Sequence, residues 1–373
     1  MVTLEMRLDN GEIGFVRSNT MMTALVDMAR GVIALALVSG LCAVSAKPAL
    51  AQTSTPIVVE SYLIPSGDAG IQLYVRNKRP RAVTTFPTDR TVLYVHGSTQ
   101  ASETTFDLVL DGKSWMDHLA EHGWDVWLMD VRGYGQSTKP PEMERPAVDS
   151  PPIAPHVVAM RDVRTAVEHI LAKRAVSRIS LIGWSRGAAL VGSYAGENPT
   201  KVQRLVLYAP GWVRTSAPAG SSASIPAYQA WTTEQARARL QAGVPPEKQA
   251  VLLPASWRDA WAAAALATDP GGAAQTPPVV RSPAGTIEDG RDYWSAGKPL
   301  YDPSRIIAPT LIITAAWDDA NPPALGRAVF AKLTSAVTKR YVEIGDASHL
   351  VMLERNRLQL FREVQLFLDE PQP

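Results

Sequence analysis

The sequence lacks several features that whole classes of protein require. It has one cysteine among 373 residues, Cys42, which lies in an apolar N-terminal stretch. This excludes an internal disulfide, cysteine redox motifs and cysteine-ligated zinc. Lys and Arg number 37 against 36 Asp and Glu, so the chain has no excess of positive charge to hold a nucleic acid. Any chemistry must use oxygen and imidazole groups, and we expect no nucleic-acid partner and no cofactor.

Long hydrophobic runs are scarce as well. The longest, residues 31–46, reads GVIALALVSGLCAVSA and is followed by a small-residue triplet that ends at Ala51. At roughly 16 residues it is shorter than the ~18 that a membrane-spanning helix needs, and the pattern is typical of a cleaved secretory signal. We predict a signal peptide over residues 1–51, a periplasmic or secreted protein and no stable membrane span after cleavage; an uncleaved membrane anchor is the alternative.

A regular alternation of apolar runs and amphipathic stretches follows, which is typical of strands and crossover helices in a mostly parallel sheet. The first two runs flank the turn 65–68 and predict an antiparallel hairpin at the sheet edge. Helical spacing of apolar residues between Val157 and Lys173 predicts a crossover helix. The predicted strands begin at Pro56, Ile71, Thr91, Trp124, Arg178, Arg204, Thr310 and Arg340.

The alternation is interrupted after Trp212 and resumes near Ile306. The stretch between them is rich in Ala, Pro, Gly and Ser, and it places Trp257 and Trp261 on one face of a helix. We therefore predict a helical cap over residues 215–299, inserted between two parts of one core domain, residues 52–214 and 300–373.

The pentapeptide Gly183-Trp184-Ser185-Arg186-Gly187 lies between a predicted strand and a helix-forming run. A GxSxG pattern alone is weak, but in this context it predicts a nucleophile elbow. Such a turn is too sharp for side chains at the two glycine positions and holds its serine in a strained conformation. We predict Ser185 as a nucleophile; a helix-capping serine is the alternative.

A serine hydroxyl needs a base and an oriented acid to become a nucleophile. His349 follows the last predicted strand and precedes the last helix, so it is our candidate base. Asp318 and Asp319 follow the preceding strand, and adjacent residues of an extended segment point apart. We choose Asp318 as the acid and expect Asp319 to face solvent or cap the loop.

Two other histidines, His118 and His122, are four residues apart on a predicted helix, a spacing that suits metal ligands. The phrase is HLAEH and not HExxH, and no third ligand is evident, so we expect exposed helix histidines and no metal site.

These residues resemble the α/β-hydrolase superfamily, in particular its serine-nucleophile, esterase- and lipase-like branch. The resemblance covers nearly all of the chain after residue 51. It implies a mostly parallel eight-stranded sheet flanked by helices with an inserted helical cap, a catalytic triad of Ser185, Asp318 and His349, and an oxyanion hole made by the backbone N–H groups of Ser98 and Arg186. The matching segments are VHG at 95–97, DVRGYGQS at 130–137, GWSRG at 183–187, Asp318 and DASH at 346–349.

The reaction implied is attack of Ser185 on an acyl carbon, with a small-molecule carboxylic ester or lactone as substrate. Relatives that cleave alkyl halides or epoxides use a carboxylate nucleophile, so a serine excludes those reactions. Three alternatives remain: an amidase or peptidase, a carbon–carbon bond hydrolase with the same triad, and a ligand-binding protein that keeps the hydrolase fold.

Tryptophans near the predicted elbow and in the predicted cap suggest an apolar pocket. We assign substrate binding to Trp184, Trp212, Trp257 and Trp261 and expect a preference for hydrophobic acyl or aromatic esters. The alternative is that these rings are ordinary core.

Overall fold

The computed structural model describes residues 6–9, 12–15, 56–214 and 224–371, and it divides the chain into two compact units, residues 1–52 and 53–373. In the first unit, β1 (Met6–Asp9) pairs antiparallel with β2 (Glu12–Phe15). The rest of the predicted signal peptide, with its apolar run and cleavage site, lies outside the described residues. Within the described residues, no helix is both long and apolar enough to cross a membrane.

The second unit is built on an eight-stranded sheet. Its strands are β3 (Ile57–Pro65), β4 (Gln72–Pro80), β5 (Thr91–Val95), β6 (Asp125–Met129), β7 (Ile179–Trp184), β8 (Val202–Tyr208), β11 (Thr310–Ala315) and β12 (Lys339–Ile344), and the sheet order is β12-β11-β8-β7-β5-β6-β4-β3. The hairpin β3–β4 is antiparallel and lies at the edge, and β4 is antiparallel to β6. The other neighbouring pairs are parallel. All eight predicted strands and the edge hairpin are thereby confirmed.

Helices cover both faces of this sheet. Alternate residues of β5 enter opposite hydrophobic clusters, Leu93 and Val95 one and Val92 and Tyr94 the other, which explains why its sequence is apolar throughout. Helices α3, α4 and α10 pack on the first face, and α2 and α11 on the second. The helices are α1 (Glu103–Phe106), α2 (Trp115–Glu121), α3 (His156–Arg174), α4 (Arg186–Glu197), α5 (Thr233–Leu240), α6 (Pro246–Leu252), α7 (Ala255–Ala267), α8 (Pro270–Ala273), α9 (Gly285–Asp289), α10 (Pro323–Lys332) and α11 (Arg357–Asp369).

Parallel pairing brings the carboxyl ends of distant strands to one edge of the sheet. Val95 lies opposite Gly183 in the β5–β7 register, and Gly183 lies opposite Leu207 in β8. Ala315 and Ile344 are likewise paired where β11 and β12 end. The chain segments that carry the predicted oxyanion hole, nucleophile, acid and base therefore leave the sheet at the same edge, where ligands bind in open α/β sheets.

The stretch predicted as a cap lies between β8 and β11, and residues 215–223 of it lie outside the described residues. The described part holds α5 to α9. It also holds a two-stranded antiparallel sheet that the composition did not suggest, formed by β9 (Tyr228–Trp231) and β10 (Val280–Pro283). Backbone hydrogen bonds from Ala227 to Ala147 and from Ile153 to Ala227 attach this part to the loop that precedes α3.

Candidate active site

Ser185 occupies the turn between β7 and α4 in a strained conformation. Its φ is 57° and its ψ is −115°, a combination that a residue with a Cβ rarely adopts. The Ser185 N–H donates to the Tyr208 carbonyl oxygen at 2.9 Å, which ties the turn to the neighbouring strand β8. The side chain is half-buried at the amino end of α4, where the helix dipole favours developing negative charge.

The two glycines of the pentapeptide are required by close packing of α4 against the sheet. A Cβ on Gly183 would lie 2.3 Å from the Gly187 carbonyl oxygen, and a Cβ on Gly187 would lie 2.1 Å from the Val95 carbonyl oxygen. Both distances are far inside van der Waals contact. The two glycines of the motif therefore lie where α4 packs closely against β7 and β5.

The predicted base and acid are in contact. His349 Nδ1 and Asp318 Oδ2 are 2.6 Å apart, and the two side chains are 2% and 0% exposed. An ionised carboxylate only accepts hydrogen bonds, so the ring proton lies on Nδ1 and leaves Nε2 as the acceptor that a general base needs. Asp319 is exposed and makes no such contact, so of the two adjacent carboxylates the structure brings Asp318 to His349.

Two aromatic side chains fix the backbone of His349, the predicted base. Trp184 Nε1 and Tyr208 Oη both donate to the His349 carbonyl oxygen, at 3.1 and 2.9 Å. The Trp184 ring is 5.1 Å from the imidazole, centroid to centroid. These contacts place His349 beside the strand that carries Ser185.

Asn321 connects the acid to the nucleophile, and the sequence contained no motif that singled it out. Its backbone N–H donates to Asp318 Oδ1 at 2.7 Å, and its Nδ2 donates to the Ala209 carbonyl oxygen at 2.9 Å. The same Nδ2 is 3.5 Å from Ser185 Oγ. Ser185 Oγ makes no hydrogen bond to His349 in this structure, a contact that in many hydrolytic sites tightens only when substrate binds.

Two backbone N–H groups are available beside the nucleophile. Ser98 follows β5 and Arg186 is the first residue of α4, and within the described part of the chain neither N–H donates to a protein acceptor. The Ser98 carbonyl oxygen accepts from Tyr134 Oη at 2.7 Å, which holds the Ser98 peptide. Both predicted donors therefore remain available for an oxyanion hole, which needs free N–H groups beside the nucleophile.

His96 supports that turn as a neutral ring. The Val131 N–H donates to His96 Nε2 at 3.0 Å, so the proton lies on Nδ1, which donates to the Gly97 carbonyl oxygen at 2.7 Å. Burial lowers the pKa of His96 to about 3, so the ring stays uncharged at neutral pH and keeps both bonds.

The side chain of Arg186 is buried, with 3% of its surface exposed. Its Nη2 donates to the Ala154 carbonyl oxygen, and the same Nη2 is 3.8 Å from Asp289 Oδ2. Burial raises the pKa of Asp289 to about 6, and the guanidinium opposes this increase. The residue after the nucleophile thus connects α4 to the loop before α3 and to α9.

A buried carboxylate holds the segment around the base. Ser348, which precedes His349, donates to Glu354 through its N–H at 3.1 Å and through its hydroxyl at 2.5 Å. The Leu350 N–H, on the other side of the histidine, donates to Ser348 Oγ at 3.1 Å. Sequence reasoning missed Glu354, although an acidic residue directly after the apolar run 350–353 was a signal that could have marked it.

Glu354 predicts a measurable pH dependence of stability. Burial raises its pKa from the usual 4.5 to about 7, so between these values the folded chain keeps a proton that the unfolded chain releases. The free energy of unfolding must then fall as pH rises through this window, by at most about 3 kcal/mol from this group. Denaturant unfolding of the wild type and Glu354→Gln at pH 4.5 and pH 8 measures the contribution, because the variant lacks it. Glu363→Gln, on α11, should retain the wild-type slope, and equal slopes in all three proteins would contradict the assignment.

The four tryptophans assigned to substrate binding differ in their surroundings. Trp184, Trp212 and Trp261 are buried, the first against the base and the second against Tyr301 at 5.4 Å between ring centroids. Trp261 Nε1 donates to Gln100 Oε1 at 2.7 Å, two residues beyond Ser98. Trp257 is half-buried and lines a different cavity. Three of the rings therefore pack in the interior. The sequence could not show this, because helical periodicity marks an apolar face without saying what covers it.

The sheet, with a strained serine, an imidazole and a carboxylate gathered where its parallel strands end, defines a class of α/β protein with a nucleophile elbow. A family model described as alpha/beta hydrolase fold matches residues 90–356. The chain belongs to the α/β-hydrolase family.

Solved structures show the same fold at low identity. A hydrolase from Pseudomonas aeruginosa PA01 is 19% identical, with a TM-score of 0.56 over 83% of this chain and 99% of that one. A serine hydrolase involved in carbazole degradation, the CarC enzyme, is 16% identical, with a TM-score of 0.54 over 83% and 99%. The enol-lactonase from Burkholderia xenovorans LB400 is 17% identical, with a TM-score of 0.50 over 81% and 98%. Among curated proteins no match was found.

Proposed function

We propose that this protein is a serine hydrolase that cleaves carboxylic esters or lactones through an acyl-enzyme on Ser185. The observation that carries the proposal is the buried hydrogen bond between His349 and Asp318 at the sheet edge where Ser185 adopts its strained turn. Asn321 supports the proposal from the other side, because its N–H donates to Asp318 Oδ1 and its Nδ2 lies 3.5 Å from Ser185 Oγ. The N–H groups of Ser98 and Arg186, without protein acceptors in the described chain, supply the oxyanion hole.

In the proposed reaction, His349 Nε2 takes the proton of Ser185 as Oγ forms a bond to the carbonyl carbon. The carbonyl oxygen becomes an oxyanion that the two N–H groups stabilise; losing one such donor costs about 3 kcal/mol in comparable sites. His349 then protonates the departing alkoxide, and the acyl-enzyme remains. A water molecule, deprotonated by the same imidazole, releases the acid and restores Ser185. Asp318 stabilises the imidazolium without taking its proton.

The deciding experiment is labelling with a fluorophosphonate together with an ester and lactone panel. We expect the full-length protein to react with the probe, Ser185→Ala not to react, and p-nitrophenyl esters to be cleaved far faster than the matching p-nitroanilides. Anilide cleavage at a similar rate would identify an amidase instead, and labelling without ester or lactone turnover would favour carbon–carbon cleavage. No labelling at all would identify a hydrolase fold that only binds its ligand.

Within that reaction we propose a preference for hydrophobic acyl groups over charged ones. If the acyl chain enters an apolar pocket, kcat/KM for p-nitrophenyl esters should rise about fourfold per added methylene until the pocket is filled, since each buried CH₂ contributes ~0.8 kcal/mol. Acetate, butyrate, hexanoate and octanoate esters form the series, and the hemisuccinate ester is the charged control. Fastest turnover of the acetate or hemisuccinate ester would contradict the preference.

We further propose export, with cleavage of the signal peptide after Ala51. The support is that the compact unit carrying the whole site begins at Thr53, so removal of residues 1–51 takes nothing from it. N-terminal sequencing of the protein recovered from an expressing bacterium's periplasm or medium should begin at Gln52. Recovery of the uncleaved chain in membranes would instead support the anchor.

A further inference from the structure

A cavity that the proposed mechanism does not use lies between four parts of the fold. It has a volume of about 550 Å³, which is within the range of small-ligand sites. The walls come from the turn before α2, the second half of α2 with the residue after it, α7, and α11 with the residue Arg355 before it. Its lining residues are Asp111, Lys113, His118, His122, Trp257, Arg355, Arg357, Leu358, Arg362 and Gln365. Trp257 was assigned to substrate binding from the sequence; the other lining residues have no role in the candidate active site.

The lining carries four basic side chains and one carboxylate. Lys113 pairs with Glu121, outside the lining, and the carboxylate, Asp111, accepts from Trp257 Nε1 at 3.3 Å. Arg355 and Arg362 are exposed, and across the described ranges neither pairs with a carboxylate. The cavity therefore presents a surplus of positive charge.

Arg357 is the residue that makes this cavity more than a charged surface. It is only 6% exposed, and its guanidinium lies 4.2 Å from the centre of the Trp257 ring. Nη2 donates to the Leu110 carbonyl oxygen at 2.8 Å, but the buried Nε has no acceptor, and no carboxylate within the described chain pairs with the group. Burial lowers the pKa of Arg357, and the Asp111 carboxylate in the same cavity opposes this without forming an ion pair. Burying an arginine charge without a direct ion pair costs free energy, and Arg357 also begins α11, whose amino end favours an anion.

The two histidines form part of the cavity wall. His118 is buried, contrary to the expectation of an exposed side chain, and His122 is exposed as expected. His118 Nε2 is 2.8 Å from Gln365 Oε1, and His122 Nδ1 lies within hydrogen-bonding distance of the His118 carbonyl oxygen. Each ring thus has a protein partner. The basic groups that remain available are the three arginines, whose guanidinium forks match the oxygen spacing of phosphoryl groups.

We propose that this cavity binds an oxyanion of the phosphate class, held between Arg357 at its base and Arg355 and Arg362 at its rim. The anion supplies the direct ion pair that the buried guanidinium lacks within the described chain. Phosphoryl oxygens of this kind are present both on free phosphate or small phosphate esters and on lipid headgroups. The inference does not depend on the proposed esterase activity.

The test uses the full-length protein and inorganic phosphate as the probe, titrated by calorimetry at constant ionic strength with chloride as the balancing anion. Phosphate should bind and raise the Tm above its value in chloride. Arg355→Ala combined with Arg362→Ala should weaken phosphate binding at least tenfold, and both residues are exposed, so the fold should persist. The matched control, Arg81→Ala combined with Arg178→Ala, removes two exposed arginines elsewhere and should bind as the wild type does.

Vesicle flotation distinguishes the source of the anion. Binding to phosphatidylglycerol vesicles but not to phosphatidylcholine vesicles, lost in the Arg355/Arg362 variant, assigns a lipid headgroup, and its absence together with phosphate binding assigns a soluble anion. Equal weakening by both double variants would reduce the effect to general charge and overturn the site. Failure of both phosphate and phosphatidylglycerol to bind would overturn it as well.

Discussion

Replacing Ser185 with alanine is expected to lower kcat for ester hydrolysis about 10⁶-fold, the size of loss seen when a triad serine is removed. The variant lacks the oxygen that forms the acyl-enzyme, and residues 183–187 contain no other hydroxyl side chain. Alanine keeps the Cβ and hence the same strain at a φ of 57°, so the free energy of unfolding should change by less than ~0.5 kcal/mol. Steady-state kinetics with p-nitrophenyl butyrate and denaturant unfolding measure the two effects.

Ser335→Ala provides the matched control, since Ser335 is an exposed serine outside the site. It should retain full activity. Residual activity in Ser185→Ala within a hundredfold of the wild type would mean that another group performs the chemistry. A large loss of stability in Ser185→Ala would make the kinetic result uninterpretable as catalysis and would also contradict the strain argument.

Replacing Asp318 with asparagine is expected to lower kcat about 10⁴-fold. In the structure Asp318 Oδ1 accepts from the Asn321 N–H at 2.7 Å and Oδ2 accepts from His349 Nδ1. An asparagine keeps the first bond by placing its oxygen there, and its NH₂ then faces the imidazole. Nδ1 must become an acceptor, so the ring proton moves to Nε2, and His349 can no longer take the proton of Ser185.

Asp319→Asn is the control that the chain itself offers, because the neighbouring carboxylate is exposed and the charge change is the same. It should alter kcat less than about twofold. Comparable losses in the two variants would point to a general electrostatic effect, and loss in Asp319→Asn alone would reverse the assignment of the acid. Thermal unfolding of both variants shows whether the buried substitution also disturbs the loop that holds Asn321.

All the strands could be predicted because each is a short apolar run bounded by a turn. Such a signal is contained within fewer than ten residues. The crossover helix predicted between Val157 and Lys173 is α3, which extends one residue further at each end. The two-stranded sheet β9–β10 was missed, since its strands are four residues long and about fifty residues apart. Neither length nor periodicity distinguishes such strands from loop.

The residues of the candidate site likewise divide into those that the local sequence predicted and those that it did not. Ser185 was recognisable because its elbow has local steric requirements, and the two glycines record them in the sequence. Asn321 has no such record, and the acidic residue after the apolar run 350–353 marked Glu354 only as unusual. Their roles arise from contacts with Ser185, Asp318 and Ser348. For the four tryptophans substrate binding stays a prediction, because aromatic content near a predicted site says nothing about which ring surface is covered.

By itself, the order of residues determined the sheet, the strained turn and the set of groups able to do the chemistry, since these depend on steric and hydrophobic patterns within a few neighbouring positions. Only the tertiary structure decided which carboxylate meets His349, which backbone N–H groups stay without acceptors and which arginine is buried without a direct ion pair. Those outcomes depend on how segments separated by tens to hundreds of residues approach each other, and the free energy of a buried polar group is set by the partners that such packing provides.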